Sequence, residues 1–399
     1  MTVETTPRTE PSFEVTASVS KIETWHAVFP LTPFRLGAKV VSQRDFTVVR
    51  VELSDGTVGA SFGQCRKAPV DMVITELLAP MILGTQAESP ASVRRRCLAG
   101  LGQHEPIGLV GRGLSLLDLA LWDALGHSTG TPVWKLLGGA GHSAPGMLVA
   151  GYFIDGESDE GFADRVAGKA AEGWKALKLA GMPQDPDRFT RRLELLRNLV
   201  DEDVEIVVDM VAAFDDPVLL LEQARGWKDL GLAWIEDPLA ASETEKISWL
   251  RHELDIPLGI GDEVTSRQAL EYLAQRNAID VLRVDLLAGG GLTCLPELQG
   301  LAQRHGLRIS THAYPHFHRH AVQGAEGMGL IETFGPGSAW DASPQFVGGV
   351  GHRFDNAQDR IVVDAPNEPG LGLDIDWRAV ESHTRRHSAV SSEGKVPAP

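Results

Sequence analysis

Residues 204–236 read VEIVVDMVAAFDDPVLLLEQARGWKDLGLAWIE, and one architectural unit is legible in them. An apolar run, Val204–Asp209, closes on an acid; an amphipathic stretch, Asp216–Leu230, follows; a second apolar run, Leu232–Glu236, closes on an acid again. Short apolar runs alternating with helical periodicity are the pattern of parallel strands wrapped by helices. Working outward, the same texture covers the chain beyond Gly138-Gly139. Eight runs recur, at Met147–Phe153, Lys175–Leu179, Val204–Asp209, Leu232–Glu236, Ile256–Gly261, Asp280–Asp285, Leu307–Thr311 and Gly329–Thr333. Seven candidate helices lie between them, among them Asp187–Val200 and Ser266–Arg276. Eight strands with intervening helices predict a closed (β/α) barrel. An open doubly wound sheet is the lesser alternative, because no G-x-G-x-x-G turn follows a first strand.

Upstream the pattern changes. Phe46–Leu53 alternates and turns at Ser54-Asp-Gly56, which reads as part of an antiparallel meander over about 13–57. Helical periodicity then occupies Val70–Ile82, Ser92–Leu101 and Leu114–Ser128. Both chain ends are polar and Pro- or Ser-rich, and are expected to be disordered tails.

The 399 residues are 43% apolar and 23% charged, which fits a soluble globular protein. Fifty-four acids against 37 bases give a net charge of −17, a balance that disfavours nucleic-acid and anionic-membrane partners. No apolar run approaches the roughly 18 residues of a membrane span, and the N-terminus lacks the apolar core of a signal peptide. Cys65, Cys97 and Cys294 are too few for a disulfide framework, so a reduced, cytoplasmic protein is expected.

Barrel chemistry sits at the C-terminal ends of strands. The ionisable residues there are Lys178, Asp209, Glu236, Glu263, Asp285, His312 and Glu332, separated by 20 to 31 residues, one βα unit each. Asp209, Glu236 and Glu263 close three consecutive strands. Three carboxylates in one small volume repel unless a cation neutralises them, and an all-oxygen set favours Mg²⁺ over zinc. Asp285 and His312 close the next two strands, where an Asp beside a His orients the imidazole and raises its basicity. With Lys178 opposite, the set suits a carboxylate substrate that loses its α-proton. His316, His318 and His320 could suggest zinc, but polar rim or substrate-facing roles, His316 first, are preferred. Gly289-Gly290-Gly291 reads as a tight turn rather than a phosphate cradle.

Several motifs carry a family resemblance. They are Gly113-Leu-Ser-Leu-Leu-Asp-Leu-Ala-Leu-Trp-Asp-Ala-Leu-Gly126, Pro132-Val-Trp-Lys-Leu-Leu-Gly-Gly139, Trp234-Ile-Glu-Asp-Pro238, Gly261-Asp-Glu263, Asp285 ahead of Gly290-Gly-Leu-Thr293, and Pro369-Gly-Leu-Gly372. Together, over about residues 15–378, the chain resembles the mandelate racemase/muconate lactonizing group of the enolase superfamily, in its mandelate racemase-like subgroup. The resemblance implies a (β/α)₇β modified TIM barrel with an α+β capping domain. Its expected boundaries are a tail at 1–14, the cap at 15–140, the barrel at 141–355, a segment returning to the cap at 356–385, and a tail at 386–399. It also implies Mg²⁺ on Asp209, Glu236 and Glu263, the Asp285–His312 dyad as acid/base, Glu332 near the substrate carboxylate, and a homo-oligomer from dimer to octamer.

Two departures bear on the reaction. The family's Lys-x-Lys on the second strand reads Lys178-Leu179-Ala180, and its Asp-x-Asn reads Asp209-Met210-Val211. With a base on one face only, elimination of water by His312 is favoured over racemisation. A racemase, epimerase or cycloisomerase is the alternative, and a non-catalytic metal-binding barrel the third. The loop Trp25–Phe34 falls where the resembled family covers its active site, so Trp25 and Phe29 are expected at the substrate, and Arg66 near a distal anion.

Overall fold

The computed structural model describes residues 17–36, 39–141, 143–152, 154, 156–180, 185–324 and 329–394. Strands β1 (Val19–Leu36) and β2 (Lys39–Leu53) fall within the antiparallel meander expected over about 13–57, and β3 (Val58–Gln64) extends it beyond that range. The helix Gly108–Ser128 lies across them with most of its surface buried. Its contact with β3 is so close that a Cβ at Gly59 would stand 2.1 Å from the Ala120 carbonyl oxygen, so only glycine fits. Asp123 on this helix accepts from the Ala60 amide (2.8 Å) and the Leu371 amide (2.7 Å), pinning the C-terminal segment back onto the cap.

The barrel strands are β4 (Ala144–Gly151), β5 (Ala176–Ala180), β6 (Glu205–Asp209), β7 (Leu232–Glu236), β8 (Leu258–Ile260), β9 (Val281–Val284), β10 (Arg308–Thr311) and β11 (Ile331–Thr333). All pair in parallel, β11 with β4. The Thr311 amide donates to Leu330 O (3.0 Å) and Gly329 to Ile309 O (3.1 Å), joining β10 to the β11 side. An α-helix spans each of the seven intervals between successive barrel strands. The architecture is a (β/α)₇β barrel under an α+β cap. A short antiparallel pair, β12 (His352–Asp355) and β13 (Arg360–Val363), joins β4 beneath it.

The expected tail at 1–14 lies outside the described residues. The tail expected from residue 386 is overturned: Thr384–Ser391 forms β14, paired antiparallel with β1 from Lys21 to Ala27. Its polar alternation hid it. One of its polar groups, the Arg386 guanidinium, is bidentate on the buried Asp71, and His387 stacks on Trp25 at 4.8 Å.

Period-two alternation explains how the barrel presents its charges. Met147, Ala176, Val207, Trp234, Val281 and Leu330 form one apolar cluster inside the barrel. Two residues further along five of these strands stand Lys178, Asp209, Glu236, Arg283 and Glu332, on the same inward face and one layer higher. The apolar layer seals the floor, and the charged layer lies above it.

The helix Pro315–Gly324 carries the three histidines, all buried. His318 accepts from the Leu286 amide and bonds Tyr314 O; His320 accepts from Trp134 N and bonds Leu371 O; His316 bonds Gly348 O. They pin loops and cap to barrel; among the described residues their ring nitrogens do not come together as a metal-ligand set, and His316, expected to face the substrate, is buried against Gly348 O. Burial, the largest cause, pushes His316 and His320 down to about 3 and His318 to about 4. Each stays neutral when folded but protonates below its ordinary value when unfolded. Stability is therefore full above that value and falls as pH drops from about 6.5 towards 4, by roughly 1.4 kcal/mol per pH unit for each histidine. Urea midpoints across this range should show the slope, and His320→Gln should make it shallower; an unchanged slope would contradict the assignment.

Candidate active site

The inward charged layer converges on one point. Lys178 Nζ lies 3.2 Å from Asp209 Oδ2, 3.0 Å from Glu332 Oε2 and 3.5 Å from Asp262 Oδ2, and also pairs with Glu236. Arg283 enters from β9: its Nε is 2.9 Å from Glu236 Oε2 and 3.3 Å from Asp262 Oδ1, and its Nη2 pairs with Glu332. Nη1 donates to Ser310 Oγ (2.5 Å), while Trp234 Nε1 donates to Glu236 Oε2 (3.1 Å). Burial favours the neutral form of Lys178, but the four carboxylates outweigh it and hold the ammonium well above its usual range. Burial raises Asp209 and Glu236; for Glu332, Lys178 and Arg283 outweigh burial and keep the carboxylate low.

The third acid at the mouth is Asp262, where Glu263 was expected. Strand β8 ends at Ile260, and Gly261 turns the chain at φ +145°, where a Cβ would stand 2.0 Å from Arg283 O. That bend carries Asp262 into the cluster. Glu263, at φ +58°, turns away to Arg66 Nη2 (2.6 Å) and Arg112 Nη2 (3.1 Å).

Oxygens of Glu236, Asp262 and Glu332 all lie within 4.8 Å of one another. The donor set, with Asp209, fits a hard divalent cation on three counts. It is oxygen-only; Asp262 Oδ1 is buried without a hydrogen-bond partner; and four carboxylates against Lys178 and Arg283 leave two negative charges over.

Beside this cluster His312 Nδ1 is 3.2 Å from Asp285 Oδ2. Asp285 as a carboxylate can only accept, so Nδ1 carries a proton, and Nε2 faces the cluster, 3.6 Å from Asp262 Oδ2. Asp285 is held in turn by the Leu287 amide at 2.8 Å. Burial would lower His312, but Asp262 and Asp285 push it up to about 10, and burial of Asp285 is outweighed by His312, leaving it at about 2. A cation among the carboxylates offsets the Asp262 contribution and brings the imidazole back towards neutrality.

The cap residues fall differently from expectation. Trp25 packs on Trp377 (5.0 Å) and His387, and Phe29 stacks on Phe346 (4.7 Å) and His383 (4.6 Å), contacts with the C-terminal part of the chain rather than with the charged layer. Further along β1, Phe34 stands 4.4 Å from Tyr152 just beyond β4. Arg66 is at the mouth but engaged by Glu263. Sequence reasoning missed Arg283, Asp262 and Phe34. Arg283 carries a signal that alternation could have found, a charge two residues before Asp285 on an apolar strand.

A capped (β/α)₇β barrel with acids closing consecutive strands defines an enolase-like protein. Residues 161–379 match the family described as enolase C-terminal domain-like, and residues 20–138 match the mandelate racemase / muconate lactonizing enzyme N-terminal domain. The chain belongs to the mandelate racemase/muconate lactonizing enzyme group of the enolase superfamily. It is 25% identical to an arabinonate dehydratase of Saccharolobus solfataricus, over 83% of this chain and 88% of that one. It is 26% identical to a D-galactarolactone cycloisomerase of Agrobacterium fabrum, over 88% of this chain and 94% of that one. The crystal structure of an L-talarate dehydratase from Polaromonas sp. JS666, complexed with Mg and L-glucarate, superposes with a TM-score of 0.78 at 23% identity, covering 94% of this chain and 99% of that one. Among the described residues no helix is long and apolar enough to cross a membrane.

Proposed function

We propose that the protein is a Mg²⁺-dependent dehydratase of a 2,3-dihydroxy- or related hydroxy-carboxylate, acting in the cytoplasm. The observation that carries this reading is the Asp285–His312 pair, which turns Nε2 towards a carboxylate cluster that is two charges short of neutral. The dehydratase names among the relatives support it, and the three free, buried cysteines suit a reducing compartment.

Asp209, Glu236 and Asp262 would hold the cation, with Glu332 at the edge of the set. When bound, Mg²⁺ supplies positive charge beside the substrate carboxylate, where negative charge develops as the α-proton leaves. His312 Nε2 takes that proton from C2. Asp285 holds the imidazole by Nδ1–H and stabilises the imidazolium. Lys178, kept charged by its neighbours, adds cationic stabilisation to the enediolate. The electron pair then expels the C3 hydroxyl, to which His312 returns the proton, so that water leaves. The enol tautomerises to a 2-keto acid, and the overall change is loss of one water.

NMR screening of acid sugars and hydroxy acids in D₂O with Mg²⁺ tests the reading. A keto acid formed from at least one dihydroxy acid is expected. Deuterium at the α-carbon of recovered substrate without keto acid would reassign the site to racemisation, epimerisation or cycloisomerisation. The cycloisomerase relative favours that second reading. Neither product nor exchange across the panel would overturn both.

A further inference from the structure

We infer that Arg44 is the specificity residue for a second, distal carboxylate, and hence that the substrate is a dicarboxylate. This rests on the reading that a substrate carboxylate occupies the barrel mouth. Arg44 on β2 is only 6% exposed. Among the described residues its one hydrogen bond runs from Nε to Trp340 O (3.1 Å), and no carboxylate lies within 4 Å of it. The acid that faces it, Asp341, turns both oxygens to Ser343 at 2.9 Å. A buried guanidinium without an anionic partner is costly, and a ligand anion is the natural complement.

The surroundings aim it. Phe34 and Phe334 each stand 5.6 Å from the guanidinium carbon. With aromatic rings against it and Nε–H spent on Trp340, the Nη edge of the fork is left open, the geometry that grips a carboxylate with two parallel bonds. Phe334 lies two residues beyond Glu332, and Phe34 packs on Tyr152 just past β4, so Arg44 hangs over the ends of the eighth and first barrel strands. Arg66, the distal-anion residue expected from sequence, has Glu263 already. Arg44 has no carboxylate on its fork among the described residues.

The test is binding, measured without turnover. Calorimetry on the Mg²⁺-loaded protein compares 2-hydroxy dicarboxylates of four, five and six carbons with 2-hydroxy monocarboxylates of the same lengths. At one length the dicarboxylate should bind roughly 10- to 100-fold tighter, the worth of a charge-assisted bidentate pair. Arg44→Gln should cut that preference to within about threefold, while monocarboxylate affinity stays put; Arg44→Lys, charged but without the fork, should fall between. Unchanged Mg²⁺ affinity certifies the folded barrel, and if Arg44→Gln fails to fold, Arg44→Lys decides. Equal affinities at every length, or a preference that survives substitution, overturns the inference. If the preference holds but no acid yields exchange or keto acid, the proposed reaction falls instead.

Discussion

His312→Asn is expected to lose both α-proton exchange and keto-acid formation, by about 10³-fold or more, while Mg²⁺ still binds. The asparagine amide can donate to Asp285 from near the place of Nδ1–H, so the local geometry and the buried Asp285 remain satisfied. What disappears is the Nε2 nitrogen that faces the cluster and that the proposed mechanism uses as its base. Because the same nitrogen is asked both to take the proton and to return it to the departing hydroxyl, its loss should remove both steps together. Rates within tenfold of the parent would sink the mechanism. Loss of Mg²⁺ affinity alongside turnover would instead make His312 a support of the cluster, through its 3.6 Å approach to Asp262.

The barrel was readable in the sequence because its strands bury both faces and its helices only one, which writes two different periods into the chain. Lys178, Asp209, Glu236 and Glu332 were readable for a related reason. Each breaks an apolar strand at the inward position two residues beyond a floor residue, where only a polar cavity repays the loss of hydration. Asp262 was not, because adjacent acids at 262 and 263 are distinguished by a backbone turn at Gly261 that composition does not reveal. The cap was harder still. Trp25, Phe29 and Phe34 share one strand and similar chemistry, yet only the register of β1 against β2 and β14 decides which of them meets Tyr152 just beyond β4. Arg44 carries no motif; its role depends on missing its acid in three dimensions. The strand at 384–391 was hidden because, Val390 apart, its alternation is polar and its contacts include an ion pair and a stacked imidazole.

Asp262→Asn and Glu263→Gln, compared side by side, should give opposite results. Asp262→Asn removes one charged oxygen donor from a cluster whose fit to a divalent cation depends on excess negative charge. Mg²⁺ affinity should fall by at least about 100-fold, beyond what losing an outer partner of a ligand does. Glu263→Gln leaves that cluster untouched, since its carboxylate is spent on Arg66 and Arg112 at the rim. Its Mg²⁺ affinity should stay within about threefold of the parent, although the freed arginines make the mouth more cationic and should strengthen binding of any anion there. Titration calorimetry with Mg²⁺, and a thermal melt of each metal-free variant to certify the fold, would read the pair. If Glu263→Gln lost the metal and Asp262→Asn kept it, the turn at Gly261 would have to bring the other acid inward, and the strand-end reading of the sequence would stand after all. The test separates two neighbouring carboxylates of equal charge by direction alone, and direction here is set by a glycine that no other residue can replace, its would-be Cβ blocked by the Arg283 carbonyl.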